Sequence, residues 1–190
     1  MPKLGMEPIR RDALVKATIS EIGRTGSLGV TVAQIARRAG MSTALAHHYF
    51  GGKDRIFLAA MRHILTLYSA SVRGALVGSV DPRERLERIV RASFEPGNFR
   101  AEVIGAWLTF YVQAQTVPDA ERLLHVYQRR LRSNLMHELR ALTDDPAPLA
   151  DLIGALIDGL YIRAALGQGA TGKDAADTVL DVLDRMLGPK

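Results

Sequence analysis

The sequence predicts an all-α fold of about nine helices, and three observations support that class. Apolar residues recur every three or four positions along most of the 190 residues, which is the spacing of one helix face. Alternating apolar and polar runs, which are typical of strands, are scarce. Capping residues, prolines and glycines divide the chain into segments of helical length. We therefore expect helices joined by short loops.

The first predicted helix runs from Glu7 to Thr25, and we expect Gly26 to end it because glycine readily adopts the left-handed conformation found after helices. Two short helices follow between Thr31 and Lys53, in the sequence TVAQIARRAGMSTALAHHYFGGK. Thr31 and Gln34 have the spacing of a capping box, in which each side chain bonds the backbone of the other residue.

The turn between these two short helices is expected at Gly40, where a side chain would be unfavourable. Ser42 can cap the second helix, Thr43 to Phe50, whose inward residues are predicted to be Leu45 and Phe50. Two short helices with this turn form a helix-turn-helix, in which the second helix reads the major groove of DNA.

Six further helices are predicted after the first three. A long fourth helix begins at Lys53 or Asp54 and ends between Arg73 and Leu76. Asp81 and Pro82 open the fifth, because a capping aspartate followed by proline is a typical helix start. The remaining helices are expected to contain Trp107, to run from Pro118 to about Leu142, and to occupy 149–166 and 173–187. Residues 1–52 are the predicted DNA-binding domain, and residues 53–190 the predicted effector-binding and dimerisation domain.

Charge is distributed unevenly along the chain. Residues 1–55 contain nine Lys or Arg against four Asp or Glu, whereas residues 56–190 contain sixteen of each. The net charge of +5 therefore lies in the helix-turn-helix end. Phosphate contacts release the counterions condensed on DNA, so a basic domain favours binding to a polyanion.

Composition also limits the functional class. The chain has no cysteine, so disulfides are excluded, and we expect a reducing cytoplasm. Neither a signal peptide nor a membrane-spanning run is recognisable, so no membrane association is expected. The five histidines do not form a zinc-hydrolase motif, and neither a nucleophile elbow nor a phosphate-binding glycine loop occurs. We expect neither an enzyme nor a metal or other cofactor.

Two patterns carry a resemblance to a known family. The first, T-x-x-x-I-A-x-x-A-G-x-S, begins at Thr31, and the second, H-Y-F-x-x-K-D, begins at His48. Around them, residues 9–62 resemble the N-terminal domain of the TetR family of one-component bacterial repressors. The later blocks AWLTFY, RRLRSNL and ALIDGLYIRAAL resemble members that respond to choline and control the synthesis of glycine betaine. The resemblance implies a homodimeric repressor of a palindromic operator.

Nine residues are candidates for contacts with DNA. Thr43 and His47 lie one turn apart on the second short helix and are the expected base readers, while Ala44 is placed to touch a thymine methyl group. The expected phosphate contacts are Thr31, Arg38, Ser42, His48, Tyr49 and Lys53, of which the role of Lys53 is implied by the resemblance. The alternative for Tyr49 is a place in the core.

Five residues are candidates for binding a small-molecule effector such as choline. A quaternary ammonium cannot donate hydrogen bonds, so its receptor needs aromatic faces and a carboxylate. The candidates are Trp107, Phe110 and Tyr111 in one helix, and Asp158 and Tyr161 in another. The alternative is that they are ordinary core residues, with Asp158 paired to a basic group such as Arg163 or to a residue of the partner subunit.

The last two helices carry wide apolar stripes, which include Leu152, Leu156, Leu160, Val182 and Met186. These stripes could be buried within one chain. In the family that the chain resembles, the same two helices pair with their copies as a four-helix bundle, so we expect a homodimer through residues 149–187. Effector binding is then expected to shift the long fourth helix and to change the spacing of the two reader helices.

Two alternatives to the choline-responsive repressor remain. One keeps the fold and replaces choline with a different lipophilic cation or drug. The other is a helical interaction protein without a DNA ligand, which the basic helix-turn-helix segment argues against.

Overall fold

The computed structural model describes residues 6–25, 29–168 and 171–188, and this part of the chain contains nine α-helices. They are α1 (Met6–Thr25), α2 (Val32–Arg38), α3 (Thr43–Phe50), α4 (Lys53–Ala75), α5 (Pro82–Ser93), α6 (Ala101–Ala114), α7 (Pro118–Leu139), α8 (Pro146–Ala165) and α9 (Gly172–Leu187). The predicted all-α class is confirmed. The expected helix stop at Gly26 lies outside the described residues.

Two helix ends differ from the prediction. The seventh helix ends at Leu139, three residues before the predicted Leu142. The eighth begins at Pro146 and not at Leu149, because proline fits the first turn of a helix, where its missing N–H is not needed. Pro146 and Pro148, which the prediction placed in the loop before the eighth helix, therefore belong to the first turn of that helix.

The described residues divide into two compact units. The first contains the chain up to Ile64 together with Ala101–Glu121, and the second contains Leu65–Arg100 and the residues from Arg122 onward. Helix α6 is therefore part of the same unit as the helix-turn-helix, although the intervening helix α5 belongs to the other unit.

Local capping determines the geometry of the helix-turn-helix as the sequence predicts. The backbone N–H of Thr31 donates to Gln34 Oε1 at 2.7 Å, and the N–H of Gln34 donates to Thr31 Oγ1 at 3.2 Å. Gly40 has a φ of 67°, the left-handed conformation that the turn requires. Ser42 Oγ then accepts a hydrogen bond from the N–H of Leu45 and caps α3.

The buried face of α3 differs from the prediction in one residue. Phe50 is buried as expected, but Leu45 is only half-buried, and Ala46 takes the inward position. Ala46 and Phe50 are four residues apart and therefore share one face, whereas Leu45 lies about 100° around the helix from Ala46.

Helices α1 and α6 cross without room for a side chain at the crossing. A Cβ atom added to Gly23 would lie 2.1 Å from the Cα atom of Glu102. A Cβ atom on Gly105 would lie 3.1 Å from the Cα atom of Gly23. Two glycines, one from each helix, therefore allow the two backbones to touch.

A buried carboxylate ties α1 to α2. Glu21 lies in the buried face of α1, where it accepts hydrogen bonds from Arg38 Nε and from Arg24 Nη2. The hydrogen bond from Arg38 is the main reason that the pKa of Glu21 lies below its ordinary value of 4.5, and burial opposes this shift. Glu21 therefore stabilises the fold as a carboxylate.

The core of the second unit lies among α5, α8 and α9, and its fully buried side chains include Leu86, Ile89, Ile153, Ile157 and Leu183. Ion pairs that include the buried residues Arg83 and Glu138 join its helices. Arg83 of α5 donates to Asp184 of α9, and Arg85 Nε donates to Glu138 Oε1 of α7 at 2.9 Å.

Gly23→Ala is expected to destabilise the protein by about 1 to 3 kcal/mol, because the added methyl group would overlap the backbone of α6. The free energy of unfolding from urea denaturation measures this effect. Gly74→Ala is the matched control: a Cβ there meets nothing within 4 Å, and alanine favours the helix by up to about 1 kcal/mol. Equal effects of the two substitutions would contradict the proposed steric origin.

Glu21→Gln is expected to flatten the acid limb of the stability curve. Since the pKa of Glu21 is lower in the folded protein, its contribution is complete above the ordinary value of 4.5 and is lost as the pH falls through the folded pKa. Thermal unfolding between about pH 2 and pH 7 measures the slope. Glu7→Gln, at an exposed position of the same helix, serves as the control. A wild-type slope in Glu21→Gln would refute the role of this carboxylate.

Candidate nucleic-acid interface

The exposed face of α3 carries the predicted base-reading residues. Thr43, Ala44, His47 and His48 are all exposed, while Ala46 and Phe50 of the same helix are buried. Thr43 and His47 are four residues apart and share one surface of the helix. These small, hydroxyl and imidazole groups can offer hydrogen bonds and apolar contacts to base edges.

Gly51 separates the reader helix from α4. It has a φ of 76°, and its N–H donates to the carbonyl of His47 at 2.6 Å, which closes the last turn of α3. Lys53 is the first residue of α4, and its Nζ atom lies 5.3 Å from the centre of the Phe57 ring. Gly51 thus supplies the left-handed conformation that ends α3, and α4 begins two residues later at Lys53.

The predicted phosphate contacts Thr31 and Ser42 are exposed, and both also serve as caps. The hydroxyl of Thr31 donates to Gln34 Oε1 at 2.9 Å, so it takes part in the capping box. Arg38 is exposed at the end of α2, and its Nε atom is held by the carboxylate of Glu21. The ion pair fixes the position of the Arg38 guanidinium and offsets part of its charge.

The N-terminal half of α1 supports the reader helix, a role that sequence reasoning missed. Arg11 Nη1 donates to the backbone carbonyl of Tyr49 at 2.6 Å, and its guanidinium lies 4.5 Å from the centre of the Phe50 ring. Arg10 Nη1 donates to the Tyr49 hydroxyl at 3.4 Å. Tyr49 is half-buried, which is intermediate between an exposed phosphate contact and a core position, the two roles that the sequence left open.

The sequence pattern gave only a weak indication of the roles of Glu21, Arg10 and Arg11. Glu21 could have been noticed as a charged residue at the helical spacing of the buried face of α1, where Leu14 and Thr18 precede it. Nothing in the local spacing of Arg10 or Arg11 indicates a contact with Tyr49, which lies 38 residues from Arg11.

The candidate effector residues divide between the two units. In the first unit, the rings of Phe110 and Tyr111 lie 5.9 and 5.8 Å from the ring of Trp107. Trp107 and Phe110 are buried, and Tyr111 is half-buried. All three belong to α6, which packs against α1 through the glycine crossing.

In the second unit, Tyr161 is buried and its hydroxyl donates to the backbone carbonyl of Ser93. Its ring lies 5.8 Å from Phe94 and 5.0 Å from Phe99. Asp158, one turn earlier in α8, is half-buried.

Tyr68 of α4 reaches the same region of the second unit. Its hydroxyl forms a 3.2 Å hydrogen bond with Ser93 Oγ, and its ring lies 5.9 Å from that of Tyr127. Burial raises the pKa of Tyr68 to about 12, and the negative charge of Asp158 contributes to the increase. Burial likewise raises the pKa of Tyr161, with smaller contributions from Tyr68 and Asp158. Both tyrosines therefore remain neutral phenols near neutral pH, close to a carboxylate.

A cleft of about 320 Å³ lies between α7 and α8. Its lining includes Tyr127, Gln128 and Arg132 from α7, and Asp151, Gly154 and Asp158 from α8. Arg132 and Asp151 form an exposed ion pair across it, with Nε and Oδ1 2.6 Å apart. Sequence reasoning did not single out Tyr127, because a lone tyrosine in a helix carries no local signal of a cavity.

The apolar stripes of α8 and α9 are only partly buried in the second unit. Ile153, Ile157, Val179 and Leu183 are in its core. Four other apolar side chains of this region are exposed, with exposed fractions of 41% for Leu152, 42% for Ile162, 65% for Leu166 and 60% for Met186.

Membrane-spanning helices and metal-binding clusters are both absent from the described residues. No helix in that part of the chain is long and apolar enough to cross a membrane. The described residues also contain no group of three or more His, Cys, Asp or Glu side chains that could hold a metal ion.

Comparison with known proteins agrees with this geometry. Residues 14–60 match the family model of bacterial regulatory proteins of the tetR family. Residues 82–188 match the model of the C-terminal part of BetI-type transcriptional repressors.

Curated relatives and a solved structure extend the match over nearly the whole chain. The HTH-type transcriptional regulator BetI of Brucella anthropi is 48% identical over 194 residues, covering 100% of both chains. The regulator of the same name from Brucella suis biovar 1 is 51% identical over 186 residues, which is 97% of this chain and 93% of the relative. A putative transcriptional regulator from Saccharomonospora viridis, crystallised in complex with choline, is 27% identical with a TM-score of 0.83, covering 92% of this chain and 95% of that one.

The relatives are named as regulators, which confirms that the protein is not an enzyme. The chain belongs to the TetR family of bacterial regulatory proteins, and its C-terminal part is of the type found in BetI repressors.

Proposed function

We propose that the protein represses genes for the conversion of choline to glycine betaine, by binding a palindromic operator as a homodimer and responding to choline. The observation that carries the DNA-binding part is the exposed surface of α3, where Thr43, Ala44 and His47 are accessible while Ala46 and Phe50 are buried. The proposal places residues 1–52 in the DNA-binding domain, residues 53–190 in the effector-binding and dimerisation domain, and the protein in the cytoplasm.

In this proposal, Thr43 and His47 read base edges and Ala44 contacts a thymine methyl group. Thr31, Arg38, Ser42, His48, Tyr49 and Lys53 contact the phosphate backbone. Arg11 acts as a positioning residue, because its hydrogen bond to the Tyr49 carbonyl holds the C-terminal end of α3.

Homodimerisation through residues 149–187 is supported by apolar surface. Leu152, Ile162 and Leu166 of the α8 region and Met186 of α9 are exposed in the single chain. A second copy would remove these side chains from water. Two reader helices would then meet half-sites about 34 to 36 Å apart on one side of the duplex.

The choline response is supported by the structure of the Saccharomonospora viridis regulator, whose choline complex resembles this chain. The candidate effector residues supply the chemistry that a quaternary ammonium requires. We propose two separate sets of effector contacts: Trp107, Phe110 and Tyr111 within the first unit, and Asp158 and Tyr161 within the second, where a carboxylate accompanies an aromatic ring. The alternative effector is another lipophilic cation or drug, which the same aromatic and acidic groups would suit.

His47→Ala and Thr43→Ala are expected to weaken binding to the operator by about 1 to 3 kcal/mol and to relax sequence preference. Lys53→Ala is expected to weaken binding to all DNA and to lower the salt slope by about 1, because one phosphate contact is lost. Fluorescence anisotropy with the promoter fragment next to the gene and with a scrambled duplex, at several salt concentrations, measures both effects.

Lys16→Ala is the control for loss of a positive charge, since Lys16 is exposed on α1 and pairs with Asp12 at 2.8 Å. It should leave the affinity and the salt slope unchanged. A change of sequence preference alone in Lys53→Ala would overturn the phosphate assignment.

Choline is expected to bind the protein and to change its affinity for the promoter fragment. Isothermal titration with choline, betaine aldehyde, glycine betaine and a dye cation measures binding, and anisotropy with DNA present measures the response. If neither choline nor betaine aldehyde binds, the assignment to betaine synthesis is wrong. Binding of the dye cation alone would establish the alternative effector class.

A further inference from the structure

We infer that the cleft between α7 and α8 binds a quaternary ammonium group, with the ring of Tyr127 and the carboxylate of Asp158 as its contacts. This inference rests on the proposed function, because it identifies where within the second unit a cationic effector binds. It adds a residue from α7 to the candidates that the sequence suggested.

The first support is the space available. The cleft has a volume of about 320 Å³, at the lower end of the range of about 300 to 1,000 Å³ that is typical of small-molecule sites. Gly154 lines it, and a Cβ atom added there would meet nothing within 4 Å. The absence of a side chain at this position of α8 therefore contributes open volume to the cleft.

The second support is the pair of residues, Tyr127 and Asp158, at one end of the cleft. Tyr127 and Asp158 both line the cleft and come from different helices, so a tyrosine and an aspartate border the same space. A cation without hydrogen-bond donors is held by an aromatic face and by a nearby negative charge. The influence of Asp158 on the pKa of Tyr68 and of Tyr161 supports the placement of its carboxylate in this aromatic region.

The third support is the rigidity of the aromatic group. Tyr127 is only 7% exposed, and the Tyr68 ring contacts it in an edge-to-face arrangement. Tyr68 is in turn held by its hydrogen bond to Ser93 Oγ. A ring that is already fixed loses little conformational entropy when a ligand binds.

The opposite end of the cleft differs chemically. The carboxylate of Asp151 is paired with Arg132, so these two charges offset each other, and Arg129 also lines the cleft. Asp151 precedes Asp158 by seven residues, which is about two turns or roughly 10 Å along α8. Because Asp151 is taken up by Arg132 at that distance, Asp158 is the carboxylate assigned to the cation.

The test is isothermal titration of the full-length protein with choline and with its neutral isostere 3,3-dimethylbutan-1-ol. Asp158→Asn and Tyr127→Leu are each expected to lower the affinity for choline about tenfold, whereas Tyr127→Phe keeps the ring and should stay within about twofold. Gly154→Leu should abolish binding by filling the cleft. Asp144→Asn, at an exposed position that does not line the cleft, is the control and should bind choline as the unmodified protein does. Thermal melting verifies that each variant is folded.

The outcomes separate this inference from the proposed function. If the unmodified protein does not bind choline, both are wrong. If it binds choline but Asp158→Asn and Gly154→Leu bind equally well, the cleft is not the site, while the choline response stands. Equal affinity for choline and for the neutral isostere would show that the positive charge is not recognised, and would also overturn the inference.

Discussion

The close crossing of α1 and α6 is the constraint on which the first unit depends. At Gly23 and Gly105 the two backbones touch, and a methyl group on Gly23 would occupy the position of the α6 backbone at Glu102. Because only glycine fits at this crossing, the contact determines how α1 is rotated about its own axis. Glu21 and Arg11, which bind residues of α2 and α3, lie on this same helix. The steric contact with α6 therefore also determines the direction of these two side chains.

Electrostatic and aromatic contacts from α1 position the two short helices of the helix-turn-helix. Glu21 binds Arg38 at the end of α2, and Arg11 binds the Tyr49 carbonyl near the end of α3. Helices of seven and eight residues are too short to be stable alone in water, so α2 and α3 depend on such contacts and on burial of Ile35 and Phe50. A precise reader surface on a short helix therefore requires support from a long one.

The second unit is organised around the C-terminal end of α5. Tyr68 from α4 bonds the side chain of Ser93, and Tyr161 from α8 bonds its backbone carbonyl. Gly172, at the start of α9, lies so close to the carbonyl of Phe94 that a Cβ atom there would come within 2.3 Å of the oxygen. Three helices thus meet at one helix end, and the proposed cation cleft adjoins this junction through the contact of Tyr68 with Tyr127.

The sequence by itself determined the features that depend on residues three or four positions apart. The capping box of Thr31 and Gln34, the left-handed turn at Gly40 and the cap at Ser42 all followed from local spacing, as did the all-α class. The sequence patterns also identified the family, because the reader motif and the C-terminal blocks are specific to it. Only the tertiary structure decided that Ala46 rather than Leu45 faces inward, that Arg11 holds Tyr49, and that Tyr127 shares a cleft with Asp158. The physical reason is that hydrogen bonds within a turn are set by the helix period, whereas contacts between residues tens of positions apart depend on how whole helices pack, and no local spacing encodes that packing.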